Sequence, residues 1–177
     1  MKRVFSVVSG MRYAARNRVA LALSYYAGLR VSEIAGLRLK DALDEQRAVR
    51  DRLMLTGAIT KSGEARAIYV GSRLRREIER YSAHRADAAP DDALIVSQRG
   101  HGFSGNTLCQ LFKNIYELAG VDGASSHSGR RWFITRLAHS GISPKVIMTL
   151  AGHRHLSTTQ RYIDVNDEML RAAVEVL

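Results

Sequence analysis

The stretch Ala151-Gly152-His153-Arg154-His155-Leu156-Ser157-Thr158-Thr159-Gln160-Arg161-Tyr162 decides how this chain is read. It follows a second dense stretch, Ser126-His127-Ser128-Gly129-Arg130-Arg131-Trp132-Phe133. Together they bring a phenol, imidazoles and guanidinium groups into one short region. Those are the groups needed to attack a phosphodiester without a metal. Such an attack has two requirements. Charge on the phosphoryl oxygens must be stabilised, and the leaving oxygen must be protonated. Metal enzymes use cations for both. No carboxylate cluster or ligand spacing in this sequence suits Mg²⁺. Arginine can replace the metal, because a guanidinium stays charged and donates two parallel hydrogen bonds to a phosphate.

Upstream lies Gly28-Leu29-Arg30-Val31-Ser32-Glu33-Ile34, an arginine beside a helix start. Glu33 follows Arg30 by one helical turn, so it faces the same side and suits orienting an arginine rather than reacting. His127 and Arg130 have the same spacing and can point into one cleft. Lys61 falls in the turn Lys61-Ser62-Gly63-Glu64 between two apolar runs, with Arg66 on the returning run. Among the tyrosines, Tyr162 alone has the Gly-His and Ser-Thr-Thr-Gln-Arg context. Tyr13, Tyr25, Tyr26, Tyr69, Tyr81 and Tyr116 read as structural. His139 and His155 read as bland, and Trp132-Phe133 as core.

This set resembles the tyrosine recombinase (phage integrase) family, whose pattern runs Arg, Lys, His-x-x-Arg, Gly-His, Tyr. Arg30, Lys61, His127, Arg130, His153 and Tyr162 match it in that order. The resemblance implies that Arg30 and Arg130 bind the scissile phosphate. It makes Lys61 the acid that protonates the leaving 5′ oxygen, on a hairpin free to enter the site with DNA. His127 would bond the phosphate or assist proton transfer at the nucleophile, and His153 would donate to a non-bridging oxygen. Tyr162 would be the nucleophile and Glu33 a supporting residue. A tyrosine is protonated at neutral pH, so the arginine-rich site must assist its ionisation. The covalent link conserves bond energy, so the resemblance implies no cofactor and no metal. One position departs from the family: Gly129 stands where a bulky apolar residue is usual.

The expected fold is α+β, mainly α: a tyrosine recombinase catalytic domain with a small antiparallel β-hairpin. Residues 13–27 have helical apolar spacing and stop at Gly28. A short helix runs from Ser32 through Leu37. Residues 52–59 and 65–70 read as the hairpin strands. A charged helix spans Ser72 to about His84. Leu94-Ile95-Val96 reads as a short strand. Ser104 starts a helix ending near Gly120. Further helices are expected at 128–140, 143–151 and 155–162, with an amphipathic tail helix at 165–176.

The chain has 177 residues, 27 basic and 17 acidic, a net charge of +10. Such a balance points to a polyanionic partner, of which nucleic acid is the usual one. The bias is uneven: residues 1–30 hold no acid, while the tail holds Asp164, Asp167, Glu168 and Glu175 against Arg171. Cys109 is alone, which excludes an internal disulfide and a cysteine-rich zinc site. No apolar run reaches the ~18 residues of a membrane span, and a cytoplasmic protein is expected. Residues 1–177 are read as one catalytic domain with no N-terminal core-binding (clamp) domain. It is either a naturally short member, like the fimbrial-switch invertases, or an excised domain. The implied partners are double-stranded DNA recombination sites, with a homotetramer on DNA and a monomer in free solution. A type IB topoisomerase-like activity and a non-catalytic DNA-binding regulator are the alternatives.

Overall fold

The computed structural model describes residues 1–60, 63–163, 170–171 and 174–175. Helix α1 (Lys2–Ser9) buries Val4, Phe5 and Val8, one face of an otherwise polar segment. Helix α2 (Ala14–Ala27) is buried nearly all round, from Asn17 through Ala27, and packs against α1. A helix apolar on every side must sit in the interior. It ends at Gly28, which takes the left-handed conformation (φ 65°). The N–H groups of Gly28 and Leu29 both return to the Leu23 carbonyl, the latter at 3.2 Å, closing the helix end around the left-handed glycine. This reversal starts α3 (Val31–Gly36), with Arg30 as its N-cap. A single turn, α4 (Leu39–Ala42), follows.

Strands β1 (Arg52–Leu55) and β2 (Arg66–Tyr69) pair antiparallel, Leu53 opposite Ile68 and Leu55 opposite Arg66. The hairpin is as expected, but its strands are shorter. After Leu55 the chain turns on itself: the Ile59 N–H bonds to Thr56 O and that of Thr60 to Gly57 O. The Thr60 hydroxyl reaches Glu64 O at 2.8 Å. These local bonds replace the ladder.

Helix α5 (Ser72–Ser82) buries Leu74, Ile78 and Tyr81 against α2, with a short 3₁₀ turn, Ala83–Arg85, extending it. Its Glu77 pairs with Arg18 of α2 at 2.5 Å. Leu94 and Ile95 are fully buried but form no strand. Only isolated bridges form there, Arg38 with Ala93 and Val96 with Gly102, because no long extended segment runs alongside. Helix α6 (Gly105–Leu118) starts in a reciprocal Ser104–Thr107 capping box. Helices α7 (Ser128–His139), α8 (Pro144–Ala151) and α9 (Leu156–Gln160) complete the described helices. The fold is thus α+β and mainly helical, with one small antiparallel hairpin. The expected tail helix at 165–176 falls largely outside the described residues, and so does Lys61.

Helix α7 joins two cores. One side packs on α2, where a Cβ at Gly129 would come within 2.5 Å of Ser24 Oγ and 3.0 Å of the Tyr25 ring. The glycine that departs from the family pattern therefore permits close helix approach. The other side packs on α8 in a small cluster of Ile134, Ala138, Ile147 and Ala151, against which Phe133 and Tyr162 lie.

Candidate active site

Two helix ends meet at α7. The C-terminal carbonyls of a helix lack intrahelical partners and carry partial negative charge. Arg130, on the first turn of α7 and 6% exposed, uses both. Its Nη1 donates to Gly28 O after α2 at 2.5 Å, and its Nη2 to Ala151 O of α8 at 2.6 Å. Burial pushes this guanidinium down to about 9, and the neighbouring Arg30 and Arg66 add to the shift. It stays charged at neutral pH, in a place where an anion would be favoured.

Arg30 is delivered by the Gly28 reversal. Its Nη1 donates to Glu33 Oε1 at 2.9 Å and its backbone N–H to Glu33 Oε2 at 2.8 Å. A longer contact of 3.4 Å runs from Nη2 to Gly152 O. Glu33 has no exposed side-chain surface, so its carboxylate orients arginines and does not face solvent. Its Oε2 also accepts from Arg66 Nη2 at 2.9 Å.

His153 follows Gly152, which ends α8 in the left-handed region (φ 63°). Its Nδ1 lies 2.8 Å from Thr159 Oγ1, leaving Nε2 for a ligand. Burial pushes the imidazole down to about 4, reinforced by Arg130, Arg30 and Arg66, so it is neutral at pH 7. The Tyr162 ring stacks near it, centroids 6.4 Å apart at 21°. Tyr162 sits two residues beyond α9, its N–H bonded to Thr159 O at 3.0 Å. The helix expected to include it stops at Gln160.

His127 is exposed at the N-cap of α7. It lines an open cavity of about 490 Å³ with Arg30, Ser32, Thr60 and Asn106. Thr60, the residue before Lys61, is thus on the rim of the same cavity. Arg30, Glu33, Arg130, His153 and Tyr162 are brought together, and His127 joins them across this opening.

Two participants were not singled out by sequence. Arg66 is one; its signal was strand parity, since it shares a face with the buried Ile68. Thr159, fully buried behind His153, is the other, and nothing in the sequence separated it from Thr158. Among the described residues, no group of three or more His, Cys, Asp or Glu could hold a metal ion. None of their helices is long and apolar enough to cross a membrane.

Comparison with known proteins bears on the family and the fold. The model of the phage integrase family matches residues 2–169. Tyrosine recombinase XerA of Pyrococcus horikoshii is 34% identical over 178 residues, covering 99% of this chain and 58% of the relative. Tyrosine recombinase XerD of Yersinia pestis is 34% identical over 162 residues, covering 88% and 52%. The chain therefore spans little more than half the length of these relatives. Among solved structures, XerA recombinase superposes with a TM-score of 0.77 at 24% identity, covering 97% of this chain and 58% of that one. The Tn1549 transposon integrase, solved in complex with a circular intermediate DNA, gives 0.78 at 23% identity, covering 99% and 63%.

Proposed function

The chain belongs to the phage integrase family, and from that membership and the site geometry we propose that it is a site-specific DNA recombinase working through a 3′-phosphotyrosyl intermediate. The convergence of Arg30, Arg130, His153 and Tyr162 on one cleft supports this most strongly. Residues 1–177 act as its catalytic domain. The partner is double-stranded DNA, which fits the charge of +10.

The Tyr162 phenol oxygen attacks the scissile phosphorus, and the phosphorus–O5′ bond breaks. The phenol proton passes to His127 or to water as the bond forms. The Lys61 ammonium gives a proton to the departing O5′. Arg30 and Arg130 hold the non-bridging oxygens, whose charge grows in the transition state. Neutral His153 donates a further hydrogen bond. The 5′ hydroxyl of a second strand then attacks the phosphotyrosine, and Tyr162 recovers its proton. Strand exchange takes place in a tetramer on two paired sites, and the free protein is a monomer. The setting is the cytoplasm, where DNA is accessible.

A nicked suicide duplex tests the reading, because loss of a short 5′ fragment traps the adduct. The duplex carries the sequence this protein selects from a randomised pool. The wild type should give a covalent protein–DNA band on denaturing gels, and Tyr162→Phe should give none while binding DNA normally. A band that survives in Tyr162→Phe contradicts the assignment.

A further inference from the structure

We infer that Arg66 is a positioning residue of the cleavage site: its bridge from β2 to Glu33 and to the Ala151 carbonyl fixes Arg30 and Arg130 where a phosphate needs them. The inference rests on the reading above and adds a residue to it.

Each acceptor of Arg66 is shared with one clamp arginine. Its Nη2 donates to Glu33 Oε2 at 2.9 Å, the oxygen that also accepts the Arg30 backbone N–H. Its Nη1 donates to Ala151 O at 3.1 Å, the oxygen that also accepts from Arg130 Nη2. Arg66 is therefore the link between a carboxylate on α3 and the last carbonyl of α8. Gly152 packs directly against the guanidinium, where a Cβ would collide with it.

The charge of Arg66 is held in place at a cost. Its side chain is 14% exposed and its Nε is buried without a hydrogen-bond partner; burial disfavours its charge most, Glu33 favours it and Arg30 disfavours it. Its ion pair also satisfies the buried Glu33 carboxylate, which an apolar side chain would leave one partner short. What the guanidinium supplies is geometry, two acceptors fixed by one planar group, together with a third positive charge beneath the phosphate. It also ties the clamp to the hairpin, because Arg66 opens the strand that returns from the segment holding Lys61.

The test uses the full chain with Arg66→Met and Arg66→Lys. On the selected nicked duplex, Arg66→Met should slow single-turnover adduct formation by about 10- to 100-fold, the scale of a small misplacement of reacting groups, with DNA affinity lowered much less, by no more than the loss of one charge. Arg66→Lys, which keeps the charge but reaches one acceptor, should fall between. A 5′-bridging phosphorothioate, whose sulfur leaves without a proton, should not rescue Arg66→Met. Rescue would show that Arg66 serves the leaving group, and would overturn the inference. A second arm needs no DNA cleavage. With inorganic phosphate as the probe, the Nε–H resonances of Arg30 and Arg130 should move together in the wild type and lose this response in Arg66→Met. Unchanged responses overturn the inference even if the wild type cleaves DNA. If the wild type forms no adduct, the recombinase reading falls while this arm still decides the role of Arg66. If Arg66→Met does not fold, Arg66→Lys decides both arms, and wild-type behaviour from it is contradictory.

Discussion

Arg130 and Arg30 reach the proposed phosphate site by different routes, one along a helix and one past a glycine reversal, and both are anchored without any ligand. Preorganised charge of this kind is worth most in the transition state. Arg130→Ala or Arg30→Ala should slow cleavage by about a hundredfold or more, measured as single-turnover adduct formation; wild-type rates would refute their role. His153 gives a pH signature. Its folded value of about 4 lies below the ordinary 6.5. Above pH 6.5 both folded and unfolded forms are neutral, and the stability contribution is complete. As pH falls from 6.5 to 4, the unfolded chain takes up the proton first, so stability drops. Tm measured across that window should fall more steeply in the wild type than in His153→Asn. At this scale the sequence anticipated which groups lie together: motif order marked Arg30, Arg130, His153 and Tyr162, and helical spacing marked Glu33. It was silent on Thr159, because the choice between adjacent threonines depends on the turn that α9 takes. Arg66 was visible as a strand residue, but its role depends on α8 and α3 arriving beside it.

Elements place these groups through close approaches. Gly129 lets α7 seat on α2, which aims Arg130. Gly129→Val should overpack this contact and cost about 1–3 kcal/mol, read by denaturant unfolding, with loss of adduct formation alongside. A variant as stable as wild type would contradict the packing account. Helix α2 and its glycine stop were legible because apolar spacing and a left-handed glycine are local signals. Helix α1 was obscured by its basic residues, although Val4, Phe5 and Val8 make a helical face. Leu94-Ile95-Val96 had strand composition, yet pairing needs a partner that the rest of the fold does not provide. The hairpin loop was placed correctly in sequence but lengthened by its own turn bonds. If Lys61 on that loop is the general acid, a 5′-bridging phosphorothioate should restore cleavage to Lys61→Ala but not to Arg130→Ala. Equal effects on both would remove the lysine from that role.

For the whole molecule, charge and chain topology act together. A net charge of +10 with an acid-free first thirty residues favours DNA through counterion release, so binding should weaken steeply as salt rises. The acidic residues of the tail suit docking on a basic neighbour. Removing residues 165–177 should spare cleavage of a single site more than it spares strand exchange between two. Sedimentation should show a monomer without DNA and tetramers on paired sites; a stable DNA-free tetramer would contradict the assembly. The central claim is the covalent bond itself. Its most direct test is proteolysis of the trapped adduct followed by mass spectrometry of the DNA-linked peptide. The account predicts a 3′-phosphate joined to the Tyr162 side chain, with a free 5′ hydroxyl on the released strand. Linkage to another residue, or through a 5′-phosphate, would contradict it.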